Sequence, residues 1–144
     1  MITITPTVQM HDQAKQKQYL YTYTLPTVLA STTSDILKLN LIPHHGIINQ
    51  LNVNCSSDDY DLSLFDDKDA VYNSVHEILA YERIDNNYER VKVALDYDNA
   101  DTIKTDALYA KIKNDDPSNA TGTITLKLYI TDLRWTHDKR EETK

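Results

Sequence analysis

Aspartates cluster densely enough in this chain to suggest cation binding. Asp58, Asp59 and Asp61 precede one apolar run and Asp66, Asp67 and Asp69 follow it. A second set, Asp96, Asp98 and Asp101, lies within Asp96-Tyr97-Asp98-Asn99-Ala100-Asp101. Calcium takes roughly six to eight oxygen ligands, which neighbouring sandwich loops can supply, so Asp96, Asp98 and Asp101 are the calcium candidates. No stretch has the glycine and closing glutamate of an EF-hand loop. The plainer reading is that aspartate serves as the turn residue of a chain with only two glycines. On that reading no metal and no cofactor is expected.

Histidine and nucleophile chemistry find less support. His44-His45 sits in a turn, and His11, His76 and His137 are scattered. Zinc needs converging ligands, and the single thiol, Cys55, falls on the apolar side of its strand pattern, where it acts as a small hydrophobe. There is no Gly-x-Ser-x-Gly elbow, no supported Cys/His pair and no glycine-rich phosphate loop. Carboxylates are too abundant to single out a glycosidase pair. The chain is therefore expected not to be an enzyme.

Tyrosine is the other conspicuous residue type, with ten against one Phe and one Trp. Tyr19, Tyr21 and Tyr23 alternate on one strand face, while Tyr97, Tyr109 and Tyr129 lie on or near later strands. Aromatic rings on a sandwich face can stack on sugars, which would make a carbohydrate-binding module. They can equally fill a core or a subunit interface. Tyr109 and Tyr129 both read as outward, so one tyrosine-lined outer face suited to protein contacts is expected. With Trp135 they are the interface candidates.

Strands must position these side chains. From Ile47 to Cys55 the odd positions are Ile47, Asn49, Leu51, Val53 and Cys55, and the even ones are mostly polar. That is the period-2 pattern of a half-buried strand. After the turn residues Ser56-Ser57-Asp58-Asp59 a second strand places Tyr60, Leu62 and Leu64 on one face and Asp61 and Ser63 on the other, so 46–65 reads as a hairpin. The same alternation turns Leu37, Leu39 and Leu41 inward within 35–42, and Val91, Val93 and Leu95 within 89–95. It does so again for Leu108, Ala110 and Ile112 within 107–113, and for Ile124, Leu126, Leu128 and Ile130 within 121–131. Segment 70–80 reads as either a helical turn or an irregular crossover. The expected fold is all-β, an antiparallel, jelly-roll-like β-sandwich of about seven to eight strands with little helix.

A length of 144 residues fits one domain with a real core. Residues 1–18 read as an N-terminal arm or extended segment, 19–131 as the sandwich and 132–144 as a charged tail. The net charge of −7 argues against nucleic acid and anionic membranes as partners. No apolar stretch approaches the ~18 residues of a membrane span. Met1-Ile2-Thr3-Ile4 lacks the basic start of a secretion signal, and one cysteine allows no internal disulfide. Synthesis in the cytoplasm is expected, with the sequons at Asn54 and Asn119 unused.

Several runs carry a resemblance. Ile47-Ile48-Asn49-Gln50-Leu51-Asn52-Val53 is followed by Tyr60-Asp61-Leu62-Ser63-Leu64-Phe65-Asp66. Then come Leu95-Asp96-Tyr97-Asp98-Asn99-Ala100-Asp101, Leu108-Tyr109-Ala110-Lys111-Ile112-Lys113-Asn114 and Gly122-Thr123-Ile124-Thr125-Leu126-Lys127-Leu128. Over about 46–131 this order is similar to small β-sandwich virion proteins of tailed bacteriophages: capsid decoration proteins, head fibres and tail or baseplate accessories. The resemblance implies a non-enzymatic particle component, located in the virion, whose partners are itself and other virion proteins. It carries over no functional residue. The terminal segments 1–18 and 132–144 are the expected contacts. The alternative is a carbohydrate-binding module with a glycan as partner.

Overall fold

The computed structural model of the chain describes residues 1–13, 16–43, 46–55, 59–84, 87–91 and 107–132. Ten strands account for most of them: β1 (Ile2–Ile4), β2 (Thr7–Gln13), β3 (Gln16–Leu25), β4 (Leu37–Leu39), β5 (Gly46–Asn54), β6 (Tyr60–Phe65), β7 (Glu77–Ile84), β8 (Asn87–Val91), β9 (Leu108–Asn114) and β10 (Ile124–Asp132). They form two five-stranded sheets. Sheet one runs β1-β4-β9-β6-β7 and sheet two runs β2-β3-β10-β5-β8. All ladders are antiparallel except β1 with β4.

The pairing is nested. β3 pairs with β10, β4 with β9, β5 with β8 and β6 with β7. Chain segment β3–β6 goes out and β7–β10 returns along it, and successive pairs fall alternately in sheet two and sheet one. Ladders between β10 and β5 and between β9 and β6 close the two sheets. This is a β-sandwich with the double Greek-key order of a jelly roll. β1 and β2 add one edge strand to each sheet.

One core lies between the sheets. Tyr21, Tyr23 and Leu25 of β3, Leu37 and Leu39 of β4, and Leu108, Ala110 and Ile112 of β9 are buried there. Ile124, Leu126, Leu128 and Ile130 of β10 are completely buried, as alternation predicts for a strand with one wet face. The Tyr23 hydroxyl stays satisfied by donating to the Asn40 carbonyl at 2.7 Å. Burial, then the neighbouring Tyr21, pushes its ionisation far above that of an ordinary phenol.

Several local readings change. The segment 46–65 is not a hairpin, because β5 lies in sheet two and β6 in sheet one. Alternation gives the buried face of a strand but not its neighbour. Within β5 the inward residues are Ile48, Leu51 and Val53 rather than Ile47. The register against β10 slips between Tyr129 and Ile130, so Asn49 is the extra residue of a bulge. Its Nδ2 donates to Thr131 Oγ1 at 2.6 Å.

β6 is buried on both sides, Asp61 and Ser63 included. It runs between β9 and β7, and Tyr72 from the following loop packs edge-on to Phe65 at 5.6 Å. The strand at 35–42 is shorter than expected. Leu41 adopts a left-handed backbone at φ 63° and is 55% exposed, and Ile42 takes the inward place. Segment 70–80 is a series of turns followed by the start of β7. Val75 is 83% exposed while Ile78 and Leu79 are buried, so the three- and four-residue spacing marks no helix face. The strand expected over 89–95 appears as β8, and its positions 92–95 lie outside the described residues. The terminal segment 1–18 contains β1, β2 and the start of β3.

Candidate functional site

The outer side of sheet one brings together residues far apart in the sequence. Register places Thr3 beside Lys38, Lys38 beside Tyr109, Tyr109 beside Phe65 and Phe65 beside Glu77. One row of side chains thus crosses all five strands. Outward direction follows from alternation, since Leu37, Leu39, Leu108 and Ala110 point into the core on either side of Lys38 and Tyr109.

An open cleft of about 360 Å³ lies on this face. Lys38 and Tyr109 contribute to it from the strands, Asn40 from the turn after β4, and Asp66, Asp67 and Lys68 from the loop after β6. The positions are fixed by backbone bonds. Asn40 donates its amide to the Ile4 carbonyl at 3.0 Å and accepts from Tyr23 at 2.7 Å. Asp66 donates its amide to the His76 carbonyl at 2.9 Å, and its Oδ1 lies 2.9 Å from His76 Nδ1. The Ala70 amide donates to the Asp67 carbonyl at 3.1 Å, closing the turn that carries Lys68.

Beside the cleft Lys111 reaches over two rings, 4.6 Å from the Tyr72 centroid and 5.8 Å from that of Phe65. This cation–π arrangement holds the loop 66–76 against the sheet. The cleft therefore combines one half-buried phenol, two ammonium groups, two carboxylates and an amide. Such a set offers hydrogen-bond donors, acceptors and an apolar ring face together.

Tyr129 stands elsewhere. It projects from β10 on the outer side of sheet two, between Leu20 and Gln50. Tyr109 and Tyr129 therefore lie on opposite faces of the sandwich and do not form one tyrosine-lined surface. Tyr21 and Tyr23 face the core, and Tyr19 packs partly against it. Trp135, Tyr97 and the calcium candidates Asp96, Asp98 and Asp101 lie outside the described residues. Among the described residues no three His, Cys, Asp or Glu side chains converge as a metal site.

The sequence pattern turns Tyr109 outward, implies the same for Lys38 and Asn40 between the inward leucines, and clusters aspartates over 66–69. It does not join them, because the β4–β9 and β9–β6 ladders that do so are non-local.

No protein-family model matches the chain. No curated protein matches it either.

Proposed function

We propose that the chain is a non-enzymatic structural component of a tailed-phage particle, a capsid decoration or tail-associated protein made in the host cytoplasm. It acts through contacts with copies of itself and with other virion proteins. The observation that carries the reading is the jelly-roll strand order, an architecture used repeatedly in capsid proteins. The support is analogy of fold, joined to the sequence resemblance over 46–131.

The edge of sheet two adds a surface suited to such contacts. Val8 and Met10 of β2 lie on the core side, opposite Tyr21 and Tyr19, yet are 42% and 58% exposed. Sheet one ends in the three-residue β1. Apolar side chains on the end strand of a sheet invite a protein neighbour.

The test is mass spectrometry of purified particles together with the mass of the isolated chain in solution. Stoichiometric presence in particles is expected. Absence from particles that package DNA normally overturns the reading. A second reading, glycan binding, rests on the Tyr109 cleft.

A further inference from the structure

The geometry points to the cleft around Tyr109 as a binding site for a neutral saccharide. The chemistry of the lining selects the ligand class. Lys38 and Lys68 oppose Asp66 and Asp67 in number, so the cleft has no net charge from these groups. A phosphate or carboxylate ligand would meet two aspartates, and a cationic ligand two lysines. A ligand rich in hydroxyls suits both sets, because each hydroxyl donates once and accepts twice. Aspartates accept from such groups in short, charge-assisted bonds, and the ammonium groups donate to them. Tyr109 lines the cleft and can offer its ring to the C–H face of a pyranose.

Preorganisation supports the same conclusion. The bonds that pin Asn40 use its backbone and not its side-chain amide. Asp66 is anchored at both its amide and one carboxylate oxygen by His76. The Asp66 carboxylate therefore needs little ordering when a ligand arrives, and the Asn40 side chain stands on a fixed backbone. Shape argues against a fully enclosed ligand: the cleft is open and small, near the lower end of ligand sites at about 300–1,000 Å³. One or two sugar rings would bind weakly, with dissociation constants on the order of millimolar. On a particle displaying many copies, avidity would raise that affinity by about a hundredfold or more without any new contact. That use rests on the particle reading; the binding itself does not.

The experiment is nuclear magnetic resonance of the full chain titrated with methyl glycosides of glucose, galactose, mannose and N-acetylglucosamine, with sodium phosphate and calcium chloride as further arms. The expected result is saturating shifts with at least one glycoside, clustered on the amides of Lys38, Asn40, Asp67 and Tyr109. Tyr109→Ala should weaken binding about tenfold or more, as should Asp67→Ala, a variant in a surface loop that leaves the sheet intact. Tyr129→Ala, on the opposite face, should bind as the parent does. The proposal is overturned if no glycoside gives a saturating shift up to about 100 mM. It is equally overturned if the shifts fall outside the cleft, or if phosphate or calcium rather than a sugar fills it. Binding is read on the isolated chain, so its failure is distinct from absence of the chain from particles.

Discussion

The Asn114 side chain donates through Nδ2 to the carbonyl of Val28 at 3.1 Å, across 86 positions of sequence. The same nitrogen approaches the carbonyls of Leu29 at 3.3 Å and Asn119 at 2.9 Å, and Asn114 Oδ1 accepts from the Asp116 amide at 3.0 Å. Beside it, Thr121 and Val28 exchange two bonds, amide to carbonyl and amide to hydroxyl, each at 2.9 Å. One buried amide thus ties the connection after β3 to the connection after β9. Asn114→Ala would remove the Nδ2 bonds to these carbonyls, the one that Asn119 accepts among them, and the acceptor of the Asp116 amide, at a cost of about 1–3 kcal/mol. Asn114→Asp should be at least as damaging, because a carboxylate would face carbonyl oxygens. Urea unfolding measures both; a loss below about 0.5 kcal/mol would refute the keystone role.

Asp116 caps the adjoining turn. Its Oδ1 accepts from the amides of Ser118 at 2.9 Å and Asn119 at 3.0 Å. Those two bonds hold its carboxyl below the ordinary aspartate value of 3.8. A depressed folded value means that the carboxylate favours the fold above pH 3.8 and that this contribution disappears as pH falls through the lower folded value. Carboxyl-carbon resonance titration should show Asp116 protonating after typical aspartates, with the Ser118 amide shifting in step. An ordinary titration at Asp116 would contradict the geometry.

Legibility in the sequence followed the range of the interactions. β10 is legible because Ile124, Leu126, Leu128 and Ile130 alternate without interruption. In β5 the alternation holds beyond the bulge and fails before it, since one extra residue at Asn49 exchanges the faces. That β6 leaves β5 for the other sheet was not legible, because nested jelly-roll pairing joins segments far apart in sequence. The role of Asn114 is not legible for the same reason: its partners include a loop that only the fold brings near. Outward positions of Lys38 and Tyr109 were visible from alternation, but their adjacency needs the β4–β9 ladder.

The bulge itself is testable. Ile48 is buried in the core while Ile47 is half-buried on the other side of β5. Ile48→Ala should cost about 2–4 kcal/mol, the usual range for emptying a core site. Ile47→Ala should cost about 1 kcal/mol or less. Chemical denaturation of the two variants decides the matter, and the reverse order would restore the unbroken alternation of 47–55.

Gly46 begins β5 where two segments nearly touch. A Cβ added there would stand 2.7 Å from Ile130 Cγ2 and 3.0 Å from both the ring and the carbonyl of Pro43. The Gly46 amide also closes the turn onto that carbonyl at 3.0 Å. Gly46→Ala should therefore destabilise by about 1–3 kcal/mol through overpacking. In a double-mutant cycle with Ile130→Ala, which removes the clashing methyl, the combined cost should fall below the sum of the single costs. Simple additivity would show that the close approach relaxes freely.

Met10 offers the sharpest test of how the chain meets its neighbours. It sits on β2, the end strand of sheet two among the described residues, with Val8 on the same side. A lysine there would place a charge in any contact that covers the strand, and burying an unpaired ammonium is costly. In the isolated chain the same side chain would extend into water, so stability should change by no more than about 0.5 kcal/mol. Met10→Lys should accordingly melt like the parent yet lose self-association or incorporation into particles. Sedimentation velocity and particle-bound stoichiometry give the two readouts. Parental assembly by the lysine variant would remove β2 as the contact surface, whereas a lowered melting temperature would show that Met10 serves the fold instead.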